Sequence, residues 1–143
     1  MITTSNLFLE NEARNILRFV IHEHHADRAG LHYDIRLEKD GVLKSFVTRK
    51  LPMLLDNEAT KIMLIPTPDH DLEWIDFQGD IEDGYGKGLV RIYDSGKYEL
   101  LKWDTKHIVI KFHGKKLIGK FALVKVQDNW IFLKMKEYTK QGE

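Results

Sequence analysis

Residues suited to binding a metal and a phosphate are concentrated in the stretch 24–38 of this chain. From Leu31 onward, apolar and polar residues alternate, which is the period of a β-strand with two unlike faces. The polar face then carries His32, Asp34 and Arg36. Alternate residues of a strand lie about 6.5 to 7 Å apart at the backbone, so an imidazole and a carboxylate can bind one cation while the guanidinium contacts an anion.

The same alternation also fits an ordinary half-buried sheet with one solvated face. Such a face usually carries Lys, Glu, Thr and Ser. Here it carries His and Asp, which are ligands for first-row metals, beside Arg, which binds phosphate through paired donors. The pattern therefore favours a metal and phosphate site over a solvated surface, and His24, upstream of the strand, can supply a third ligand.

The composition limits the kind of protein and the kind of site. With 143 residues the chain is long enough for a core of its own, and we expect one domain over residues 1–143. Cysteine is absent, so a metal must be held by nitrogen and oxygen ligands. Lys plus Arg (22) balances Asp plus Glu (22), which argues against a broad electrostatic footprint on duplex nucleic acid but allows a local phosphate pocket. No long apolar run or charged leader is apparent, so we expect a cytoplasmic protein without membrane association.

The sequence predicts many short strands separated by turn residues, a pattern typical of a barrel or a sandwich. These strands must position the side chains of the site. Asp40-Gly41 is a strong hairpin signal between two of the strands. The breaks around Asp94-Ser95-Gly96 and Gly114 separate others. The predicted strands cover residues 18–24, 31–38, 42–48, 62–65, 89–93, 98–103, 107–113, 117–126 and 130–135.

The fold class expected is all-β or mainly β, a compact and mostly antiparallel β-barrel with short flanking helices. The helices are expected over residues 7–17 and, as a single turn, over 56–60, and residues 79–88 are expected to form a glycine-rich loop. The site is expected on a concave polar face. Alternation assigns these residues to the hydrophobic layer: Tyr33, Ile35, Leu37, Ile108, Ile110 and Phe112.

At the level of whole motifs, the chain resembles a known family. Residues 18–26, the run HYDIRLE at 32–38 and the run DGVLKS at 40–45 closely resemble the 3′-phosphoesterase module of bacterial DNA ligase D. Residues 69–79 are similar to that family's segment of Asp-His, a hydrophobic residue and Phe-Glu-Gly. Residues 84–88 are similar to its glycine-rich loop and residues 130–134 to its closing strand. The resemblance covers about residues 18–134, and the chain looks like a free-standing version of the module.

The resemblance implies roles for single residues. His24, His32 and Asp34 fall on the family's metal-binding positions, which usually hold Mn²⁺, and Co²⁺ or Zn²⁺ would also suit two imidazoles and a carboxylate. The family often has an arginine at the position of residue 62, and the adjacent Lys61 is expected to bind phosphate in its place. The positions that contact the reacting phosphate, and are assigned to catalysis, correspond to Arg36, Lys50 and His70.

Some of these assignments are less firmly tied to the residues. The adjacent pair His24 and His25 leaves the choice of ligand open, and we take His24 because it comes first in the resembling pattern. His25 is then expected to face outward, and His22 to be a surface histidine. A two-residue turn at Asp40-Gly41 puts Arg49 rather than Lys50 opposite His32, so Lys50 turns inward only if the strand bulges or ends before Pro52. The remaining imidazoles, His107 and His113, are expected to decorate a sheet face.

The function that the resemblance implies is healing of DNA 3′ ends by a Mn²⁺-dependent hydrolase, in repair by non-homologous end joining. The enzyme would remove a 3′-terminal ribonucleoside as a phosphodiesterase and then the 3′-phosphate as a phosphomonoesterase, leaving a 3′-hydroxyl. Its partners would be the 3′ ends of DNA or RNA/DNA primer-templates and a separately encoded ligase and polymerase, and we expect a monomer. His70 would either protonate the leaving oxygen or donate a hydrogen bond to the phosphate.

Two other functions stay open at this point. The pair His22-x-His24 on a strand is also found in cupin-like metal enzymes that act on small molecules, although these need a Glu a few residues later. A non-catalytic nucleic-acid-binding β-barrel is the other, with aromatic side chains as stacking groups. The aromatic residues concerned are Trp74, Trp103, Trp130 and Tyr85.

Overall fold

The computed structural model describes residues 15–57 and 59–136, and they form an antiparallel β-barrel. Its helical elements are α1, Leu51–Asp56, and a 3-10 helix, Leu72–Asp76. The strands in chain order are β1 Ile16–Ala26, β2 Gly30–Lys39, β3 Val42–Thr48, β4 Lys61–His70, β5 Gly79–Ile81, β6 Gly88–Trp103, β7 His107–His113, β8 Ile118–Val126 and β9 Asn129–Lys134.

The barrel closes through the first and sixth strands. The strand order is β1-β2-β3-β4-β9-β8-β7-β6, and the long strand β6 also pairs with β1, which leaves no open edge between them. The short strand β5 adds to β6 outside this closed set of 8 strands. Every pairing is antiparallel, so the predicted architecture is confirmed.

The hairpin between β2 and β3 sets the register of the polar strand. Asp40 and Gly41 have φ values of 54° and 81°, the left-handed conformation that a tight two-residue hairpin turn requires at both positions. Lys39 therefore pairs with Val42, and Arg36 pairs with Ser45 farther along the hairpin. Because side chains alternate along a strand, this register decides which residues face the barrel interior.

The hydrophobic core fills the barrel, and the polar face of β2 lies on the outside of the wall. All residues predicted for the hydrophobic layer are buried: Tyr33, Ile35, Leu37, Ile108, Ile110 and Phe112. They pack with aromatic residues from other strands, including Phe19, Phe121 and Phe132. The opposite face of β1 to β4 carries the candidate site, which the segment 72–88 partly covers.

The predicted break at Asp94-Ser95-Gly96 is wrong, because β6 runs through it as one strand. Ile21 pairs with Asp94 and His22 with Ile92, so Tyr93 is an extra residue and the strand bulges instead of turning. Asp94 is buried, and its carboxylate accepts hydrogen bonds from the backbone N–H groups of Ser95, Lys115, Lys116 and Leu117.

The predicted helices also need correction. The turn expected over residues 56–60 lies earlier, as α1, which has a proline in its first turn, where the missing N–H costs no helical hydrogen bond. Of the helix expected over 7–17, residues 7–14 lie outside the described part, whereas Ile16 and Leu17 belong to β1. The loop expected over 79–88 begins with the short strand β5. No helix in the described ranges has the length and apolar character needed to cross a membrane.

Candidate functional site

His24, His32 and Asp34 converge on the outer face of the β1–β2 pair. His24 pairs with His32 across the two strands, and Asp34 lies two residues farther on the same face of β2. His24 Nδ1 and His32 Nε2 each lie 3.4 Å from Asp34 Oδ2. One ligand atom from each of the three residues lies within 4.8 Å of the others, a spacing that one metal ion can bridge.

Backbone carbonyls fix the tautomer of both imidazoles. His24 Nε2 lies 2.7 Å from the carbonyl oxygen of Gly86, and His32 Nδ1 lies 3.1 Å from that of Gly30. A carbonyl only accepts, so each of these nitrogens carries the proton and donates it. The unprotonated nitrogen of each ring then faces Asp34, as a metal ligand must.

The chemistry of this donor set fits a catalytic metal ion. Two imidazole nitrogens and one carboxylate oxygen suit Mn²⁺, Co²⁺ or Zn²⁺ better than Ca²⁺, which prefers an all-oxygen shell. Three protein ligands also leave coordination positions for water and substrate. The prediction that these residues share a site is therefore consistent with the geometry, and His25, which pairs with Glu23 at 2.6 Å, faces outward as expected.

Protons and metal compete for this cluster. When His32 is protonated on both nitrogens, its Nε2 donates a hydrogen bond to Asp34, and this bond raises the pKa of His32 above its usual value, against the effect of burial. Burial alone would raise the pKa of Asp34, but the hydrogen bond from His32 and the charge of Arg36 outweigh it, and the pKa of Asp34 is lowered. Because His32 must be neutral to bind a metal, the affinity of the site for metal should fall as the pH falls.

Arg36 is buried beside the cluster, and three residues hold its guanidinium in place. Its Nε donates to His22 Nδ1 at 3.1 Å, and its Nη1 donates to Ser45 Oγ at 2.9 Å. Nη1 also lies 3.1 Å from His70 Nδ1, and Nη2 lies 3.7 Å from Asp34 Oδ2. The charged end is therefore fixed next to the metal ligands, where it can face a phosphoryl group.

His22 is not the surface histidine that was expected, since it is only 1% exposed. Its Nε2 lies 3.0 Å from the carbonyl oxygen of Phe77, to which it donates, so Nδ1 is free to accept from Arg36. Burial, and next the charge of Arg36, lower the pKa of His22 to about 4. The ring is therefore neutral at pH 7 and positions Arg36. The signal for this role was its place two residues before His24, on the same strand face.

His70 reaches the same cavity from the end of β4. Its Nδ1 lies 3.1 Å from Arg36 Nη1 and 3.0 Å from the carbonyl oxygen of Pro68. With the ring proton on Nε2, Nδ1 accepts from Arg36, and with the proton on Nδ1 it donates to the Pro68 carbonyl, so these two contacts are compatible with either neutral tautomer. Burial, then Arg36, lower the pKa of His70 in the ligand-free site. The ring of Trp74 in the 3-10 helix covers it edge-on at 5.5 Å between centroids.

The two lysines assigned to phosphate binding lie in different places. Strand β3 ends at Thr48, and Lys50 then lines a cleft together with His32 and Asp34. Lys61 lies at the start of β4, on the same strand face as Thr67, which also lines the site. Six residues of strand span about 20 Å, so the backbone of Lys61 is remote from the cluster, and its assignment to phosphate binding stays a prediction.

Several contributors to the site were missed in the sequence. Ser45 could have been found from the hairpin register, which places it opposite Arg36. The carbonyls of Gly30 and Gly86 carry no side-chain signal and follow only from the path of the backbone. The Thr67 hydroxyl is buried and has no hydrogen-bond partner among the described residues, and its side chain lines the same cavity of about 210 Å³ as Arg36 and His70.

The geometry weakens both alternative functions. The pair His22-x-His24 does not form a cupin-like metal site, because both nitrogens of His22 are occupied by Arg36 and Phe77. Most of the aromatic residues considered for stacking are at least partly buried: Trp130 belongs to the core, Trp103 packs against it, and Trp74 covers His70. Tyr85, in contrast, is 72% exposed. His113 pairs with Glu99, and His107 is exposed, as expected for residues on a sheet face.

The chain is similar in sequence to known proteins. Residues 22–125 match the model of the DNA ligase D 3′-phosphoesterase domain. The multifunctional non-homologous end joining protein LigD of Mycolicibacterium smegmatis is 42% identical over 134 residues, covering 84% of this chain and 17% of that protein. The corresponding protein of Mycobacterium tuberculosis is 42% identical over 130 residues, covering 86% of this chain and 16% of that protein. That of Pseudomonas aeruginosa is 34% identical over 137 residues, covering 88% and 16%.

The chain thus spans about a sixth of the length of these curated relatives, 16 to 17%. The family match includes the whole cluster of His24, His32, Asp34 and Arg36, as well as His70. It covers more than half of the chain. This chain belongs to the DNA ligase D 3′-phosphoesterase domain family.

Proposed function

We propose that this chain is a metal-dependent hydrolase that heals DNA 3′ ends. It removes a 3′-terminal ribonucleoside and then the resulting 3′-phosphate, leaving a 3′-hydroxyl. The observation that carries the proposal is the convergence of a metal-binding triad and a fixed, buried guanidinium in one cavity. Family membership supports the reaction class, because the matching model is that of a 3′-phosphoesterase domain.

Both steps are hydrolyses of a phosphate ester. In the first, a water oxygen bonds to the phosphorus and the bond from phosphorus to the 5′ oxygen of the terminal ribonucleoside breaks. That oxygen takes a proton, the nucleoside leaves, and the primer keeps a 3′-phosphate. In the second, water attacks the same phosphorus, the bond to the 3′ oxygen breaks, and inorganic phosphate is released.

His24, His32 and Asp34 are the residues that would hold the metal ion. When bound, a divalent ion such as Mn²⁺ polarises a phosphoryl oxygen and favours deprotonation of water. The protein's own contribution is the orientation of the ligands, since the Gly86 and Gly30 carbonyls hold the two imidazoles in the tautomers that leave a nitrogen free toward the metal. Mn²⁺ is favoured here over Mg²⁺ because imidazole ligands suit the softer ion.

Arg36 would stabilise the charge that develops on the phosphoryl oxygens. Its Nη2 group lies on the side of Asp34, whereas Nε and Nη1 are used to fix the side chain, so the donor is positioned before substrate binds. Lys50 would add positive charge at the mouth of the cleft. His70, whose pKa is lowered by burial and by Arg36, would donate a hydrogen bond to the phosphate from Nε2 in the tautomer that accepts from Arg36 at Nδ1.

The cellular setting follows from the relatives. They are named for non-homologous end joining. We therefore propose a role in DNA repair in the cytoplasm, on the 3′ ends of DNA or RNA/DNA primer-templates, together with a separately encoded ligase and polymerase. We propose that the chain acts as a monomer built from one domain.

The direct experiment follows the products from a primer-template whose primer ends in one ribonucleotide and carries a 5′ label. The protein with Mn²⁺ should convert the primer first to the form one nucleoside shorter with a 3′-phosphate, and then to the 3′-hydroxyl form. A cupin-like enzyme or a pure binding protein would leave the primer intact. Release of a nucleotide, with a 3′-hydroxyl formed directly, would contradict the proposed order of steps.

A further inference from the structure

An apolar cleft extends from the metal triad along the outer face of β3 and β4. Its volume is about 490 Å³, and one end is formed by His32, Asp34 and Thr67. Val47, Met63 and Ile65 line the wall beyond them, and Tyr85 faces the cleft from the segment that covers the site. The cleft is within the usual size range of small-molecule sites, about 300 to 1,000 Å³.

Large apolar side chains are exposed to solvent in this cleft. Met63 is 45% exposed, Ile65 is 50% exposed and Tyr85 is 72% exposed. Single exposed apolar residues are common, but a cluster beside a polar site marks a surface that is covered by a ligand. The ligand must have an apolar face and lie next to the triad.

The position of Tyr85 is tied to that of the metal ligands. The next residue, Gly86, accepts the hydrogen bond from His24 Nε2 at 2.7 Å. Lys87 is held on both sides, since its N–H donates to the Gly84 carbonyl at 3.2 Å and its carbonyl accepts from the Asp27 N–H at 2.8 Å. Tyr85 also lines the cavity that contains Arg36 and His70. The phenol ring therefore stands at the junction between the triad and the cleft.

We propose that this cleft binds the nucleobase of the 3′-terminal nucleoside, stacked on Tyr85 with Met63 and Ile65 opposite, while its phosphate lies against the triad and Arg36. The proposal deepens the proposed function and rests on it. Every base has a flat π face, so stacking on an aromatic ring tolerates all four bases, and the thioether of Met63 adapts to their different outlines. Lys50 places positive charge at the same cleft, beside the nucleic-acid backbone.

A base that lies between Tyr85 and the wall of β3 and β4 has left the duplex, so the terminal nucleoside must be unpaired from the template. Unpairing costs a few kcal/mol and costs least where the base is already mismatched. The second step differs from the first, because a primer that ends in a 3′-phosphate has no nucleoside beyond the reacting phosphate to place in the cleft. Loss of the cleft should therefore impair the diesterase step more than the monoesterase step.

The test compares the two steps in Tyr85→Ala, Tyr85→Phe and the control Ile118→Ala, which removes an exposed apolar side chain (56% exposed) from β8. Stacking of one base on an aromatic residue changes affinity by about 5- to 150-fold. Tyr85→Ala should lower kcat/KM for the terminal ribonucleotide by that factor, mainly through KM, and lower it about threefold or less for the 3′-phosphate. Tyr85→Phe should restore the diesterase step, and the control should match the wild type.

A binding measurement tests the same point without catalysis. A primer with 2-aminopurine as its terminal base, bound to metal-free protein at saturating concentration, should lose fluorescence through stacking on Tyr85. Tyr85→Ala should keep the fluorescence, and a probe at the penultimate base should be unaffected. Quenching only at the penultimate base, or an equal loss of both steps in Tyr85→Ala, would overturn the cleft assignment. If the wild type were inactive on both substrates, the proposed function would be overturned. The fluorescence measurement would still show whether the terminal base binds in the cleft.

Discussion

The role of each histidine in this site depends on which ring nitrogen carries the proton and on what the other nitrogen faces. His24 and His32 each give one N–H to a backbone carbonyl, and this leaves the other nitrogen free toward Asp34. His22 likewise gives its Nε2 proton to a carbonyl, but its Nδ1 accepts from the Arg36 guanidinium instead of facing Asp34, so it holds Arg36 and not a metal. The three histidines share residue type and strand face, and only their hydrogen-bond partners separate their roles.

We expect Arg36→Lys to lower kcat/KM for both steps. The loss in transition-state stabilisation should be about 2 to 4 kcal/mol. Lysine keeps the charge but cannot donate at once to His22 and Ser45, so the cation is no longer held beside Asp34. Steady-state kinetics on a 3′-phosphate primer measure the loss. Arg18→Lys, at the exposed pair with Glu38, is the matched control. A rate near that of the wild type in Arg36→Lys would mean that Arg36 supplies only bulk charge.

His70→Ala separates an acid from a hydrogen-bond donor. The lowered pKa of His70, caused by burial and by Arg36, favours a neutral donor, so the variant should slow an alkyl ester and an activated aryl phosphate by similar factors. Bound phosphate would raise the pKa of His70, and an acid role would then slow the alkyl ester far more, because an aryl leaving group needs no proton. The ratio of the two rate losses is the measurement. If His70→Ala hydrolysed both substrates at the rates of the wild type, His70 would have no role in the reaction.

The burial of His22 predicts a pH dependence of stability in the metal-free protein. Its pKa is lowered from 6.5 to about 4, so the unfolded state binds more protons between these pH values. The stabilisation is complete above pH 6.5 and is lost as the pH falls to 4, by up to about 3 kcal/mol. Urea unfolding in chelator should show this loss in the wild type and a smaller one in His22→Gln, which cannot titrate. Parallel curves for the two proteins would contradict the assignment.

At the scale of elements, local turn chemistry predicted some boundaries and failed at others. Asp40-Gly41 specifies its own backbone conformation, and the β2–β3 hairpin followed from it. Asp94-Ser95-Gly96 has turn residues too, but they serve a bulge within β6, because Asp94 bonds to backbone groups more than twenty residues away along the chain. Long-range partners of this kind leave no local pattern in the sequence.

Asp94 should be a strong determinant of stability. Its buried carboxylate accepts four backbone N–H groups, which join β6 to the turn between β7 and β8. Asp94→Ala leaves these donors without their partner and should lower the free energy of unfolding by about 2 to 4 kcal/mol. Asp94→Asn keeps one acceptor oxygen and should lose less. Asp128→Ala, in the exposed β8–β9 turn, should change stability by about 0.5 kcal/mol or less in the same urea titration.

At the scale of the whole molecule, the alternation of apolar and polar residues predicted most of the fold. Alternation in β2 and β7 placed their apolar residues in the core and thereby put His32, Asp34 and Arg36 outside the wall. The closure of β6 against β1 and the covering of the site by residues 72–88 did not follow from any local pattern. These features depend on which distant strands meet, so the cleft could be described only from the structure, although the sequence indicates Tyr85 as a candidate stacking residue.

The proposed reaction requires a metal ion held by His24, His32 and Asp34. The most direct measurement is the release of phosphate from a 3′-phosphate primer by protein freed of metal with chelator. We expect no release by the metal-free protein, recovery with Mn²⁺ that exceeds recovery with Mg²⁺, and no recovery in His32→Ala or in the near-isosteric Asp34→Asn, each checked for folding by its thermal melt. Full release in excess chelator, or in either folded variant, would contradict the proposal that the reaction needs a metal ion at this site.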